Sequence, residues 1–150
     1  MKFISSVVLS CMAVGALSQG IRIGAPLNGT TVKPGSQIIV EVDKPDTLTG
    51  STELALVIGF LNCFSDPCPS PMDRIGDILY NGSYRPQFHT NTGIWKLPYQ
   101  NFTVTVPESA SCGDAQLSVI HFSLVGAGPF PFLQSRNITL VVERKIEEYI

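Results

Sequence analysis

Asn101-Phe-Thr-Val-Thr-Val-Pro107, a Cys112-Gly-Asp114 turn, Leu117-Ser-Val-Ile-His-Phe-Ser-Leu-Val-Gly-Ala-Gly-Pro-Phe-Pro131 and Asn137-Ile-Thr-Leu-Val-Val142 together decide how this chain folds. Three runs with a period of two are cut by Pro and Gly, which is the pattern of strands joined by turns. Phe102, Val104 and Val106 read as one inward row, with Asn101, Thr103 and Thr105 outward. Ile120, Phe122 and Leu124 read as the next inward row, and Ile138, Leu140 and Val142 as the last. Asn101-Phe-Thr and Asn137-Ile-Thr are glycosylation sequons on the outward faces of their strands. A glycan must sit in water, and a one-residue slip of register would bury both.

The same punctuation runs upstream. Short strands are expected at Ile21 to Ile23, at Gln37 to Val42 with Ile38, Val40 and Val42 inward, and at Ile75 to Tyr80. Leu54 to Leu61 is almost continuously apolar and reads as a central strand buried on both faces. Lys33-Pro-Gly-Ser36 is a turn, Pro45 to Ser51 a loop, and Ser83 to Pro98 the least regular stretch. Helical periodicity is absent. Seven strands at this spacing predict an all-β fold, an immunoglobulin-like antiparallel β-sandwich. Cys63 and Cys68 then fall in one loop and Cys112 in another at the same end. Either of the first two could bridge to Cys112, and a local Cys63–Cys68 bridge competes. An oxidising compartment allows one disulfide and one remaining thiol. Three Cys without a nearby His are a poor zinc set.

Residues 1–18 read as a secretory signal peptide. Lys2 supplies the basic start, Phe3 to Leu17 the apolar core, and Ala16 and Ser18 the small residues before cleavage. From 150 residues this leaves 132, residues 19–150, enough for a single sandwich domain. Lys2 leaves with the signal, so ten basic residues become nine against twelve acidic ones, a net charge of −3. That balance gives no footprint for nucleic acid or anionic membrane. No later segment is long and apolar enough to span a bilayer. The mature chain is expected to be a secreted, extracellular monomer. Sequons at Asn28, Asn81, Asn101 and Asn137 fit a eukaryotic secretory route and make it a glycoprotein.

No catalytic constellation is visible. His121, on the opposite strand face from Ile120 and Phe122, reads as a surface or packed imidazole, and His89 lies in an irregular segment. A copper oxidase of the secreted sandwich type would place a His at the mature N-terminus, where Gln19-Gly-Ile stands. A serine hydrolase would show a Gly-x-Ser-x-Gly elbow. Asp66, Asp73 and Asp77 lack calcium-loop spacing. Gly126-Ala-Gly128 lacks the Lys-Ser/Thr of a phosphate loop and reads as a strand-to-strand turn. The chain is thus read as not an enzyme, with no cofactor and no metal. Two surfaces remain for binding. Gly126, Gly128, Pro129, Phe130, Pro131 and Phe132 would form a stiff loop presenting aromatics to a protein partner, unless the rings fold back onto the core. Trp95, Tyr84 and Tyr99 could instead stack on sugars, as in a cell-wall or carbohydrate-binding module.

The block from Asn101 to Val142 resembles the fungal necrosis-inducing secreted protein family. The likeness is carried by Phe102-Thr-Val-Thr-Val-Pro107, Gly113-x-Ala-x-Leu117 and His121-Phe-Ser-Leu-Val-Gly-Ala-Gly-Pro-Phe-Pro131. Upstream, Ala55-Leu-Val-Ile-Gly-Phe60, Ile75-Gly-Asp-Ile-Leu79 and Gly82-Ser-Tyr-Arg-Pro86 follow in order. The Pro-rich segment from Cys63 to Pro71 and the charged tail depart from it. The resemblance implies a virulence effector with an immunoglobulin-like fold and no enzymatic activity. Members of that family suppress plant pattern-triggered immunity by binding host receptor-associated kinases, and some provoke host cell death. The catalytic domains of those kinases face the host cytoplasm, so the implied action follows uptake into the host cell.

Overall fold

Ile38 and Val40 face Val104 and Phe102 across one strand pair, and Leu117 faces Ile138 across another. Burying these side chains against each other drives the two sheets together. In the computed structural model, residues 20–46, 49–64, 66–90 and 96–144 are described. The signal peptide (1–18) and Trp95 lie outside them. The strands are β1 (Arg22–Ala25), β2 (Thr30–Val32), β3 (Gln37–Asp43), β4 (Ser51–Asn62), β5 (Asp77–Gly82), β6 (Tyr99–Thr105), β7 (Gly113–Val125) and β8 (Phe130–Val142). One sheet has the order β1-β3-β6 and the other β2-β8-β7-β4-β5. All pairings are antiparallel except β2 with β8. The all-β, immunoglobulin-like sandwich is what the sequence led us to expect.

The described residues form eight strands rather than the expected seven. The addition is β2, three residues long and too short to show a period. It exists because the chain leaves β1, crosses to the other sheet and lays Thr30 to Val32 beside Leu140 to Val142.

The core is built from Val40, Val42, Phe102, Val104 and Val106 on one side. Leu56, Ile58, Phe60, Leu117, Val119, Leu140 and Val142 face them. Each such side chain contributes roughly 1.5–3 kcal/mol on burial. The inward rows read on β3, β6 and β8 are therefore correct.

Two expectations are overturned. On β7 the inward row is Ala115, Leu117, Val119 and His121, while Ile120, Phe122 and Leu124 lie half-buried on the outer face. The pairing with β8 decides this. Leu140 lies opposite Ala115 and Ile138 opposite Leu117, so even residues on β8 take odd residues on β7 to the same face. On β4 only Leu56, Ile58 and Phe60 face the core, and Leu54 is exposed. The register of β4 shifts between Glu53 and Ala55, making Leu54 the extra residue of a β-bulge. The bulge turns Glu53 inward, although the parity of Leu56, Ile58 and Phe60 would point it to solvent.

The disulfide joins Cys63 to Cys68, with Cα atoms 5.2 Å apart, and Cys112 is an exposed free thiol. A bridge to Cys112 is thereby excluded. The Pro-rich segment folds over the outer face of the larger sheet, where Gln116 Nε2 donates to the Pro69 carbonyl at 3.0 Å. Ile75 reaches the sheet only because Gly59 has no side chain. A Cβ there would lie 2.3 Å from Ile75 Cγ1 and 2.6 Å from its carbonyl oxygen. In an ordinary strand Gly→Ala is stabilising, but overpacking of this kind costs about 1–3 kcal/mol. Gly59→Ala is therefore expected to lower the urea midpoint at unchanged slope. An unchanged or raised midpoint would show that the loop is not held by this contact.

Candidate functional site

β3 and β6 bring Lys44 and Pro98 to one end of the sandwich, since Lys44 N donates to the Pro98 carbonyl at 2.8 Å. The start of β4 and the β7–β8 turn meet at the same end, where Gly126 N donates to the Gly50 carbonyl at 2.9 Å. A cleft of about 470 Å³ opens there between Lys44, Ser51, Glu53, Tyr84, Arg85 and Pro98. Beside it a second groove runs between Thr52, Leu124, Gly126 and Pro129.

From Lys44, Ser51 and Glu53 in the cleft wall a chain of polar groups runs into the sandwich. Ile21 N donates to Gln134 Oε1 at 3.0 Å, and Gln134 Nε2 lies 2.9 Å from His121 Nδ1. His121 Nε2 meets Glu53 Oε2. The other carboxylate oxygen, Glu53 Oε1, lies 2.6 Å from Lys44 Nζ and accepts from Ser51 Oγ at 2.7 Å. Lys44 also contacts Ser51 Oγ. A backbone N–H can only donate, so Ile21 fixes the Gln134 oxygen toward itself and the amide nitrogen toward His121. Nδ1 must then accept, which leaves the imidazole proton on Nε2, facing Glu53. Both ring nitrogens are occupied, and His121, 1 % exposed, offers neither to a molecule in the cleft.

Burial pushes the Glu53 carboxyl up, but the hydrogen bonds from His121, Lys44 and Ser51 outweigh it and hold it down at about 2. Tyr84 packs edge-on against His121, its ring centre 5.2 Å away, and its hydroxyl donates to the Val42 carbonyl at 3.1 Å. Burial and the charges of Glu53 and Asp43 push that phenol up. The array was not legible as a site, because Lys44, Ser51, Glu53 and Gln134 carry no motif.

The segment read as an aromatic loop is strand. The turn is Gly126 to Pro129, and Phe130, Pro131 and Phe132 pair with Val125, Leu124 and Ser123. Gly126, with φ at 83°, takes the left-handed conformation the turn requires. Pro131 is tolerated in β8 because β2 reaches only Leu140 to Val142, so β8 is an edge here. The rings divide between the two possibilities. Phe130 is 66 % exposed and Phe132 half-buried. Gly128, Pro129 and Pro131 are exposed.

The sugar platform is not assembled, because Tyr84 is 1 % exposed within the core. Tyr99 stacks instead with His89 at 4.0 Å between ring centres and lies under Lys96. Among the described residues no group of three or more His, Cys, Asp or Glu is placed to hold a metal ion. No described helix is long and apolar enough to cross a membrane.

Glu53 ties pH to stability with a definite sign. Its folded value lies below the ordinary 4.5, so its contribution is present above that pH and fades as pH falls toward 2. The drop corresponds to about 3 kcal/mol. The stability difference between the parent chain and Glu53→Gln, measured by urea unfolding, is expected to be largest above pH 5. It should shrink by about that amount toward pH 2. A difference that is constant with pH would refute the assignment.

No match is found among curated proteins. Among solved structures the chain is similar to two variants of superoxide reductase (neelaredoxin) from Ignicoccus hospitalis. The TM-scores are 0.49 and 0.46, each at 15% identity. The first pairing covers 87% of this chain and 86% of that one, the second 85% and 83%. Both are enzymes by name, which corrects the reading of this chain as not an enzyme. The likeness assigns no reaction here. Residues 18–141 match the Nis1 family, so by most of its length the chain belongs to the Nis1 family.

Proposed function

We propose that this chain is a secreted effector of a plant-associated fungus. It binds host receptor-associated kinases and suppresses pattern-triggered immunity, acting after uptake into the host cell. Membership of the Nis1 family is the observation that supports this reading. The turn end of the β7–β8 hairpin is the surface assigned to the partner, through Gly126, Gly128, Pro129, Phe130, Pro131 and Phe132. Phe130 stands out from a backbone already fixed in a strand, so little freedom is lost when it enters a partner's pocket. Aromatic anchors of this kind dominate binding energy, at about 2 kcal/mol or more each.

Phe130→Ala with Phe132→Ala is expected to weaken capture of the kinases more than tenfold, the equivalent of about 1.4 kcal/mol, with an unchanged circular dichroism spectrum. In leaf tissue the parent chain lowers the burst of reactive oxygen that follows a microbial elicitor, and the double variant leaves it intact. Full-strength capture by a folded double variant removes the hairpin from the contact. A full oxygen burst with the parent chain demonstrably expressed removes the effector reading itself.

A further inference from the structure

The four sequon asparagines are all exposed, and two of them share one surface. On the outer face of the larger sheet, cross-strand neighbours form rows. One row runs Asn137, Ser118, Gly59, Ile78, and the next runs Ser135, Ile120, Val57, Asn81. Asn81 lies on β5, the last strand of the sheet, and Asn137 lies on β8 beyond the reach of β2. The two therefore stand at opposite edges, three strand spacings or about 14 Å apart across the sheet and one row apart along it.

In the Asn137 row Ser118 and Gly59 are buried, and beside that row the face is apolar. Val57, Ile120 and Phe122 are half-buried, Ile78 is 53 % exposed and Leu133 is 51 % exposed. The Pro-rich segment reaches Gly59 and Gln116. A contiguous apolar area on a protein surface calls for a partner.

We propose that N-linked glycans on Asn81 and Asn137 are that cover. Each site sits at one border of the apolar strip, so sugars growing from both edges lie across it. Their C–H faces shield Ile120, Phe122 and Leu133 while their hydroxyls stay in water. The same two sites would obstruct a flat protein partner. Asn101, on the other sheet, has no such strip within its rows, where Glu41 is its neighbour.

The inference rests on the exported reading and is tested apart from it. With a yeast leader in place of residues 1–18, the chain enters the secretory route whether or not its own leader works. A parallel expression with the native leader tests export itself. Ser83→Ala with Thr139→Ala deletes both sequons and leaves the asparagines in place, while Thr103→Ala deletes the control site. Trimming of the folded parent glycoprotein by an endoglycosidase needs no substitution at all. Intact mass is expected to show sugar at Asn81 and Asn137. Their loss by either route should raise anilinonaphthalene-sulfonate fluorescence severalfold and produce self-association on light scattering, with Thr103→Ala unchanged. Bare Asn81 and Asn137 in the secreted parent chain, a double variant that behaves like Thr103→Ala, or a fully glycosylated parent that dimerises would each overturn the proposal.

Discussion

The pairing of β7 with β8 is the constraint on which the rest depends. It runs without interruption from Gly113 opposite Val142 to Val125 opposite Phe130. Through it Ala115, Leu117 and Val119 are turned to the core beside Leu140 and Ile138, and His121 is set next to Gln134. The same ladder positions the outer face, the hairpin turn and the sequon at Asn137. Its antiparallel geometry leaves one choice of face once Ile138, Leu140 and Val142 are buried.

A second element, the β4 bulge at Leu54, works against the pattern of its own strand. It places an ionised carboxylate inside the sandwich, where an isolated charge would be very costly. Lys44 just after β3, Ser51 of β4 and His121 of β7 meet that carboxylate, and Gln134 ties the imidazole to the backbone of Ile21. The array thus links both sheets by directional contacts, where the apolar core links them by volume alone. Its members Lys44, Ser51 and Glu53 also line the cleft.

Much of the sandwich was legible. Alternation at Gln37 to Val42, Phe102 to Val106 and Ile138 to Val142 reported the buried faces correctly, because each of these strands has one apolar side. β7 misled because both of its sides are apolar. Its face was still readable from the turn: four residues, Gly126 to Pro129, make the paired positions sum to an odd number. An even row on β8 therefore requires an odd row on β7. The bulge left no mark because Leu54 is as apolar as the strand around it. The polar array was invisible for a different reason. Its members come from positions 21 to 134, and only the fold brings them together. The hairpin turn was seen as a feature, but its prolines concealed that Phe130 and Phe132 belong to a strand.

The shortness of β2 has its own consequence. It satisfies only the last three residues of a thirteen-residue strand, and Asn28 and Gly29 hold the backbone of Thr139, leaving the border of β8 from Phe130 to Ile138 without a strand partner among the described residues. An open border of that length is a template for pairing with another chain during synthesis, when many copies share a small volume. Pro131 removes a backbone donor near one end, Arg136 places a charge midway, and the polar amide of Asn137 follows. This border is thus protected by its own sequence against zipping to its neighbours.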